Sequence, residues 1–221
     1  MAARKEATTI ELPRLNVEIL EVTLVGDAAL ICHAWSAKAK RQMLDKQMKR
    51  ARPAKEAKDP EADFLETLYR LEDGGFGFPS VAFKDAAVTA VTSVGGVTKV
   101  AARQAFHVMG EDIDVTGVFE GVRMRQNLVR IHGSEPRMRE DMVRLGGTTA
   151  DLRYRAEFWP WWVHVAVRYN ANVLSPAQIV NLVNTAGFAV GVGEWRPERN
   201  GQYGLFHVAE ASEHARLAGG A

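Results

Sequence analysis

The stretch VHVAVRYNANVLSPAQIVNLVNTAGFAVGVGEWRPERNGQYGLFHV runs from Val163 to Val208. Its first residues alternate Val163, Val165 and Val167 against His164, Ala166 and Arg168, the period of a half-buried strand. Ser175-Pro176-Ala177-Gln178 then offers an N-cap, a proline at the first helical position and a glutamine three residues after the cap. Ile179, Leu182, Val183 and Ala186 follow at i, i+3, i+4 and i+7, which predicts a helix, and Gly187 stands where a C-cap would use glycine. FAVGV and YGLFHV read as strands on either side of a glycine-rich loop, so the segment is expected to run β, helix, β, loop, β.

Upstream, LRYRAEF (152–158) alternates Leu152, Tyr154, Ala156 and Phe158 against Arg153, Arg155 and Glu157, and the aromatic turn WPWW separates it from the strand at 163. Leu15 to Ile31 is rich in β-branched residues and breaks at Gly26-Asp27, as one or two strands would. Lys38 to Lys58 is basic; Leu44, Met48 and Ala51 predict a helix with one apolar stripe, ending near Pro53, followed by a linker. Phe64 to Glu72 is ambiguous between helix and strand, and DGGFGFP (73–79) reads as punctuation. Ala82 to Val91 places Phe83, Ala87 and Ala90 on one helical face, Thr98 to Phe106 is a second short helix, and 112–131 returns to strands. Strand, helix and strand in this order predict an α+β, ferredoxin-like or RRM-type antiparallel sheet with helices on one face. The expected organisation is one RRM-like domain over 1–221 with a basic insertion at 36–63.

With 221 residues and 47% hydrophobic content the chain can bury a core of its own. Its 28 basic and 27 acidic residues nearly cancel, so charge has to be read locally. A single cysteine, Cys32, excludes an intrachain disulfide and a cysteine-built zinc cage, and suits a reducing compartment. The N-terminus lacks the apolar core of a signal peptide, and no run approaches the length that spans a bilayer. A cytoplasmic protein without membrane contact is expected.

Chemistry-bearing residues are mostly arginines. Arg123, Arg125, Arg130, Arg137, Arg139, Arg144, Arg153 and Arg155 fall within a stretch that holds no lysine. Guanidinium grips phosphate bidentately and stacks on bases, which favours a nucleic-acid surface; pairing with Glu135, Glu140, Asp141 and Asp151 on a solvated face is the competing reading. Alternation puts Arg153 and Arg155 on one sheet face. The basic run that includes Lys46 is either a phosphate-neutralising arm or a solvated helix. Of Trp159, Trp161 and Trp162, two are expected to pack rather than stack on bases. No histidine pair has metal spacing, no nucleotide or nucleophile motif is present, and neither a cofactor nor a metal is expected. His33, near the end of the first strand region, is the one residue placed to act as a general acid or base on RNA.

The loop itself, GVGEWRPERNGQYG from Gly191 to Gly204, sets glycines at both shoulders and Arg196 and Arg199 at its tip; the plain alternative is a β-hairpin turning at Asn200-Gly201. On these residues the chain resembles the RAMP superfamily of CRISPR-associated proteins, whose modified RRM folds end in a loop of the form GxG, charged residues, GxG. It is similar also to a group of phage-encoded proteins with a like ending. It differs in carrying Gln202 and Tyr203 between the last two glycines. The resemblance implies a binder of single-stranded RNA or DNA, RNA favoured, that assembles side by side as a homo-oligomer, a filament or a multi-subunit ribonucleoprotein. Arg153, Arg155, Arg196 and Arg199 would hold phosphates, helped by Arg123, Arg125 and Lys46; the Gly191 and Gly193 amides would sit close to the strand, and Trp195 would stack. The chain is accordingly read as non-enzymatic, with a metal-independent RAMP-type endoribonuclease and a phage assembly protein as the alternatives.

Overall fold

The computed structural model describes residues 14–50, 57–114, 123–125, 127–145 and 149–218. In chain order the elements begin with β1 (Val17–Gly26), β2 (Leu30–Cys32), α1 (Ala37–Gln47), α2 (Pro60–Glu66), β3 (Tyr69–Arg70), β4 (Phe76–Pro79), α3 (Ser80–Val94), α4 (Lys99–Ala105) and β5 (Phe106–Met109). They continue with β6 (Asp112–Asp114), β7 (Arg123–Arg125), β8 (Leu128–Gly133), β9 (Arg137–Leu145), β10 (Thr149–Phe158), β11 (Trp161–Asn170), α5 (Pro176–Ala189), β12 (Phe206–Val208) and α6 (Ala211–Ala218).

Strands β12, β1 and β11 lie side by side, and β5 pairs with the far edge of β11, every pairing antiparallel. With α3 before β5 and α5 before β12, this is the strand order and crossover pattern of the ferredoxin-like fold. The chain is α+β, as its sequence pattern predicts. Two insertions decorate that core. The segment between β1 and α3 holds β2, α1, α2, β3 and β4, and the segment between β5 and β11 holds β6 to β10. From the insertions, β8, β4 and β3 extend the main sheet, while β2, β10 and β9 form a second sheet.

Period-two patterning decides the faces. On β11, Trp161, Val163, Val165, Val167 and Tyr169 are buried, and on β1 Leu20, Val22 and Leu24 stand opposite Val167, Val165 and Val163. Helix α3 covers this row with Phe83, Ala86, Ala87, Ala90 and Val91, and α5 with Ile179, Leu182, Val183 and Ala186. Phe83 meets Phe206 of β12 edge-on at 5.6 Å and Phe78 of β4 at 5.9 Å, tying core and insertion together. The capping box at Ser175 is fully formed.

Several local expectations are corrected. FAVGV is not a strand: α5 runs through Gly187 to Ala189 and Val190 is its C-cap. Gly187 is buried in the helix, where any Cβ would run into the Phe206 carbonyl, so the glycine permits close packing on β12 rather than ending the helix. Phe76–Pro79 is strand rather than punctuation, because Gly77, Phe78 and Pro79 pair with β8. The turn of WPWW is confined to Trp159 and Pro160, since Trp161 and Trp162 already belong to β11, which lies in a different sheet from β10. The basic helix ends at Gln47, before Pro53, with none of its residues buried; residues 51–56 of that run lie outside the described residues. Trp161 is buried as a packing residue, with its indole donating to the Ala28 carbonyl at 2.8 Å, whereas Trp159 is exposed. Among the described residues no helix is long and apolar enough to cross a membrane.

Helix α6 docks on the outer face of the sheet. His214 Nδ1 lies 2.9 Å from Thr23 Oγ1, which also meets His164 Nδ1 at 2.8 Å. His207 bridges Asp27 at 2.7 Å and Glu213 at 3.0 Å. Burial pulls the His207 pKa down, but the hydrogen bonds and charges of Glu213 and Asp27 outweigh it and leave it above its ordinary value. The resulting stabilisation is complete below the pKa of an unfolded histidine, about 6.5, and is lost as pH rises through the raised folded value. Raising the pH from mildly acidic to alkaline should therefore loosen α6, seen as NMR amide shifts of its residues moving toward random-coil values, and His207→Gln should abolish that pH dependence. Loosening on acidification alone would contradict this assignment.

Candidate nucleic-acid interface

The glycine loop leaves α5 at Val190 and folds into a 3-10 turn, Pro197–Arg199, before entering β12. It is pinned along its length by backbone hydrogen bonds. The Val192 amide donates to the Gly204 carbonyl at 2.9 Å, the Gly204 amide to Ala29 at 2.8 Å, and the Glu194 amide to Ile31 at 3.0 Å. Gly191, Gly193 and Gly204 all have positive φ. At Gly193 a Cβ would stand 2.6 Å from the Ile31 carbonyl, and at Gly204 it would collide with that of Val192. The glycine pattern is thus explained first by the seating of the loop on the β1–β2 connection. It is not a β-hairpin: Asn200 takes the left-handed conformation after the 3-10 turn, and no strand precedes it.

The amides at the first shoulder differ in availability. That of Gly191 donates to the Ala186 carbonyl at 2.8 Å and is committed to the helix end. That of Gly193 makes no hydrogen bond to another described residue. Arg196 is a loop staple, donating to the Gly193 carbonyl at 3.0 Å and to Glu198 at 2.6 and 3.0 Å. Arg199, at the end of the turn, is exposed and forms no ion pair among the described residues.

Against this loop the structure opens a cleft of about 560 Å³, with α3 and α4 on one side and the chain leaving β2 on another. Lys99 and Arg103, one helical turn apart on α4, enter its wall together with Arg199. Lys99 begins α4, where a cation opposes the helix dipole, so its position does not serve the helix. The lining carboxylates are Asp85, Glu194 and Glu198. Glu198 is held by Arg196, and Glu194 lies 3.4 Å from His33 and 3.9 Å from Arg155. Among the described residues that leaves Lys99, Arg103 and Arg199 balanced by Asp85 alone. Trp35, 62% exposed, and the half-buried Tyr69 add aromatic surface to the same wall. The hydrogen bond from His33 holds the Glu194 carboxyl below its usual range, opposed by burial. Burial pushes the neighbouring Cys32 thiol far up, so it is inert.

Behind the loop, Arg137, Arg139, Arg153 and Arg155 of β9 and β10 are already engaged. Arg155, only 5% exposed, donates to Asp141 at 2.9 Å with its guanidinium 5.8 Å from the Trp195 ring. Arg139 bonds Asp141 at 2.7 Å and Glu157 at 3.0 Å, and lies 4.5 Å over the Tyr203 ring. Arg153 is paired with Asp151 at 3.0 Å, and Arg130 with both Asp73 and Glu111. The expectation that Arg155 presents itself to a strand is corrected by its burial; with Trp195 it clamps the loop against the second sheet. Lys46 is exposed in the last turn of α1 and does not line the cleft. Arg123 and Arg125 lie on β7, with side chains outside the described residues.

The cleft thus gathers Arg196, Arg199, Gly191 and Gly193 of the residues expected from the sequence, adds His33, and brings in Lys99, Arg103, Trp35 and Tyr69, which carry no such expectation. The one signal for the α4 pair was their i, i+4 spacing. No group of described residues could hold a metal ion.

No family model matches the chain, and no curated protein does. The structure is similar to the crystal structure of Cmr6 from Pyrococcus furiosus, with a TM-score of 0.40 and 10% identity, over 89% of this chain and all of that one. A likeness this loose leaves the fold to be read from the chain's own topology.

Proposed function

We propose that the chain binds single-stranded nucleic acid, RNA favoured, in the cleft between the glycine loop and α4, and that copies assemble side by side along the strand. The observation that carries this reading is the set Lys99, Arg103 and Arg199 facing one cleft with, among the described residues, a single uncommitted carboxylate. Such a surplus attracts a polyanion, and phosphate contact releases condensed counterions. The Gly193 amide adds a neutral donor, while Trp35 and Tyr69 supply faces on which bases stack without regard to sequence. Arg196, Trp195 and Arg155 act one step back, by holding the loop in place. The resemblance of the loop to that of RAMP proteins agrees with this reading and supplies the side-by-side assembly.

Replacing Lys99, Arg103 and Arg199 together with alanine should lower affinity for a single strand and flatten the plot of log K against log salt by about 2, at about 0.7 per lost phosphate contact. An unchanged slope would remove the cleft from the interface.

A second reading has its own observation. His33 opens onto the same cleft with Nδ1 3.4 Å from Glu194, an arrangement in which a carboxylate orients an imidazole for proton transfer. If the strand is cut as well as held, labelled RNA incubated in EDTA should be cleaved by the wild-type chain and not by His33→Ala. Intact RNA with both proteins leaves binding as the whole function.

A further inference from the structure

Helix α1 has eleven residues and none of them is buried. A helix this short is marginal in water unless one face is covered. Its uncovered face is apolar: Met43, Leu44 and, at the C-cap, Met48 are each about half exposed. Around that stripe, residues 37–50 carry six basic side chains against Asp45 alone.

A second uncovered apolar surface lies on the β9–β10 hairpin. Met142 stands directly opposite Leu152, and Met138 opposite Ala156, so the three large side chains share one face. Met142 is 71% exposed, Met138 48% and Leu152 40%. Helix α2 packs against this hairpin. Its sequence from 59 to 66 holds four carboxylates and no base, and Glu140 interacts with Tyr154 on the same hairpin face; against them stand Lys58, committed to Asp151 and the Leu152 carbonyl, and the exposed Arg144 of β9, so the rim is net acidic.

The two surfaces match in character and oppose in charge: a basic helix with a methionine and leucine stripe, and an acidic rim around a methionine and leucine patch. Exposed apolar patches rimmed by charge mark interaction surfaces. We propose that α1 of one copy docks on the α2, β9 and β10 face of the next. Because the two faces differ, the contact is heterologous, so each copy can give one face and receive the other and the contact propagates head to tail. This deepens the side-by-side assembly proposed above and rests on it, but it needs neither the cleft nor a bound strand.

The test uses the full chain freed of nucleic acid, studied by sedimentation velocity over a range of concentrations. Wild-type protein should grow beyond a dimer. Leu44→Glu kills the helix face and Met142→Glu the hairpin face; each should weaken self-association by about thirtyfold, the effect of losing one interface hot spot. Both positions are solvent-exposed, and circular dichroism matching wild type confirms that each variant folds. Mixed in equal amounts, the two variants still own one intact face each, on different molecules. The mixture should give a one-to-one dimer that grows no further.

Self-association unaffected by either substitution overturns the proposal, as does a mixture that sediments like the separate variants. A wild-type chain that stays monomeric alone and on a long single strand overturns both this contact and the assembly reading. If Leu44→Glu leaves assembly intact while Lys40→Glu with Arg41→Glu weakens binding of a short RNA, α1 is a nucleic-acid arm and the docking is wrong. Retained binding of that RNA by the monomeric variants keeps the cleft reading independent of this one.

Discussion

Nine residues of β1 pair with nine of β11, joining segments about 140 positions apart in the chain. The cleft depends on this ladder. At one end of it β1 finishes at Gly26, and the chain passes through Ala29 and Ile31, whose carbonyls receive the Gly204 and Glu194 amides. From its other end β11 hands the chain to α5, which runs back across the sheet and delivers the glycine loop to that same place. The inner row of Val163, Val165 and Val167 holds α3 beneath, and α4 follows α3 so that Lys99 and Arg103 face the loop. Removing the ladder would separate the loop from both of its walls.

Electrostatics divides the arginines into two groups with different work. Arg137, Arg139 and Arg155 of β9 and β10 sit in an ion-pair network centred on Asp141 and Glu157. The exposed pairs there contribute little, about 0–1 kcal/mol each. The Arg155–Asp141 pair is closed to solvent, and breaking one side of such a pair costs about 3–5 kcal/mol. Its role is to fix the back of the loop. Lys99, Arg103 and Arg199 have no such partners among the described residues, and their charge is available to a ligand. Density of arginine along the chain is thus a poor guide to where free charge stands; pairing decides it.

The fold was legible where period and punctuation agreed. The alternation of Val163 to Arg168, the capping box at Ser175 and the apolar face of Phe83, Ala87 and Ala90 each appear as read. The insertions were less so. FAVGV has the composition of a strand, yet α5 runs on through Phe188 and Ala189, because Gly187 lets the helix lie against β12, and the rest enters the loop. FGFP looks like a turn, yet it pairs with β8 through a contact some fifty residues away that no local pattern reports. The candidate site was half legible. The glycine spacing pointed to a special loop, and His33 to its vicinity, but the glycines serve the loop's own seating. Lys99, Arg103, Trp35 and Tyr69 reach the loop only through tertiary packing, and no spacing rule links residues 35, 69, 99 and 199.

The central claim is that a single strand lies between the glycine loop and α4. Photo-crosslinking with RNA carrying 4-thiouridine, followed by mass spectrometry of the attached peptides, tests it most directly. Crosslinks at Trp35, at Tyr69 and within residues 191–199 are the predicted result. Crosslinks confined to the β9–β10 hairpin, or none above those of a strand lacking the photoreactive base, would contradict it.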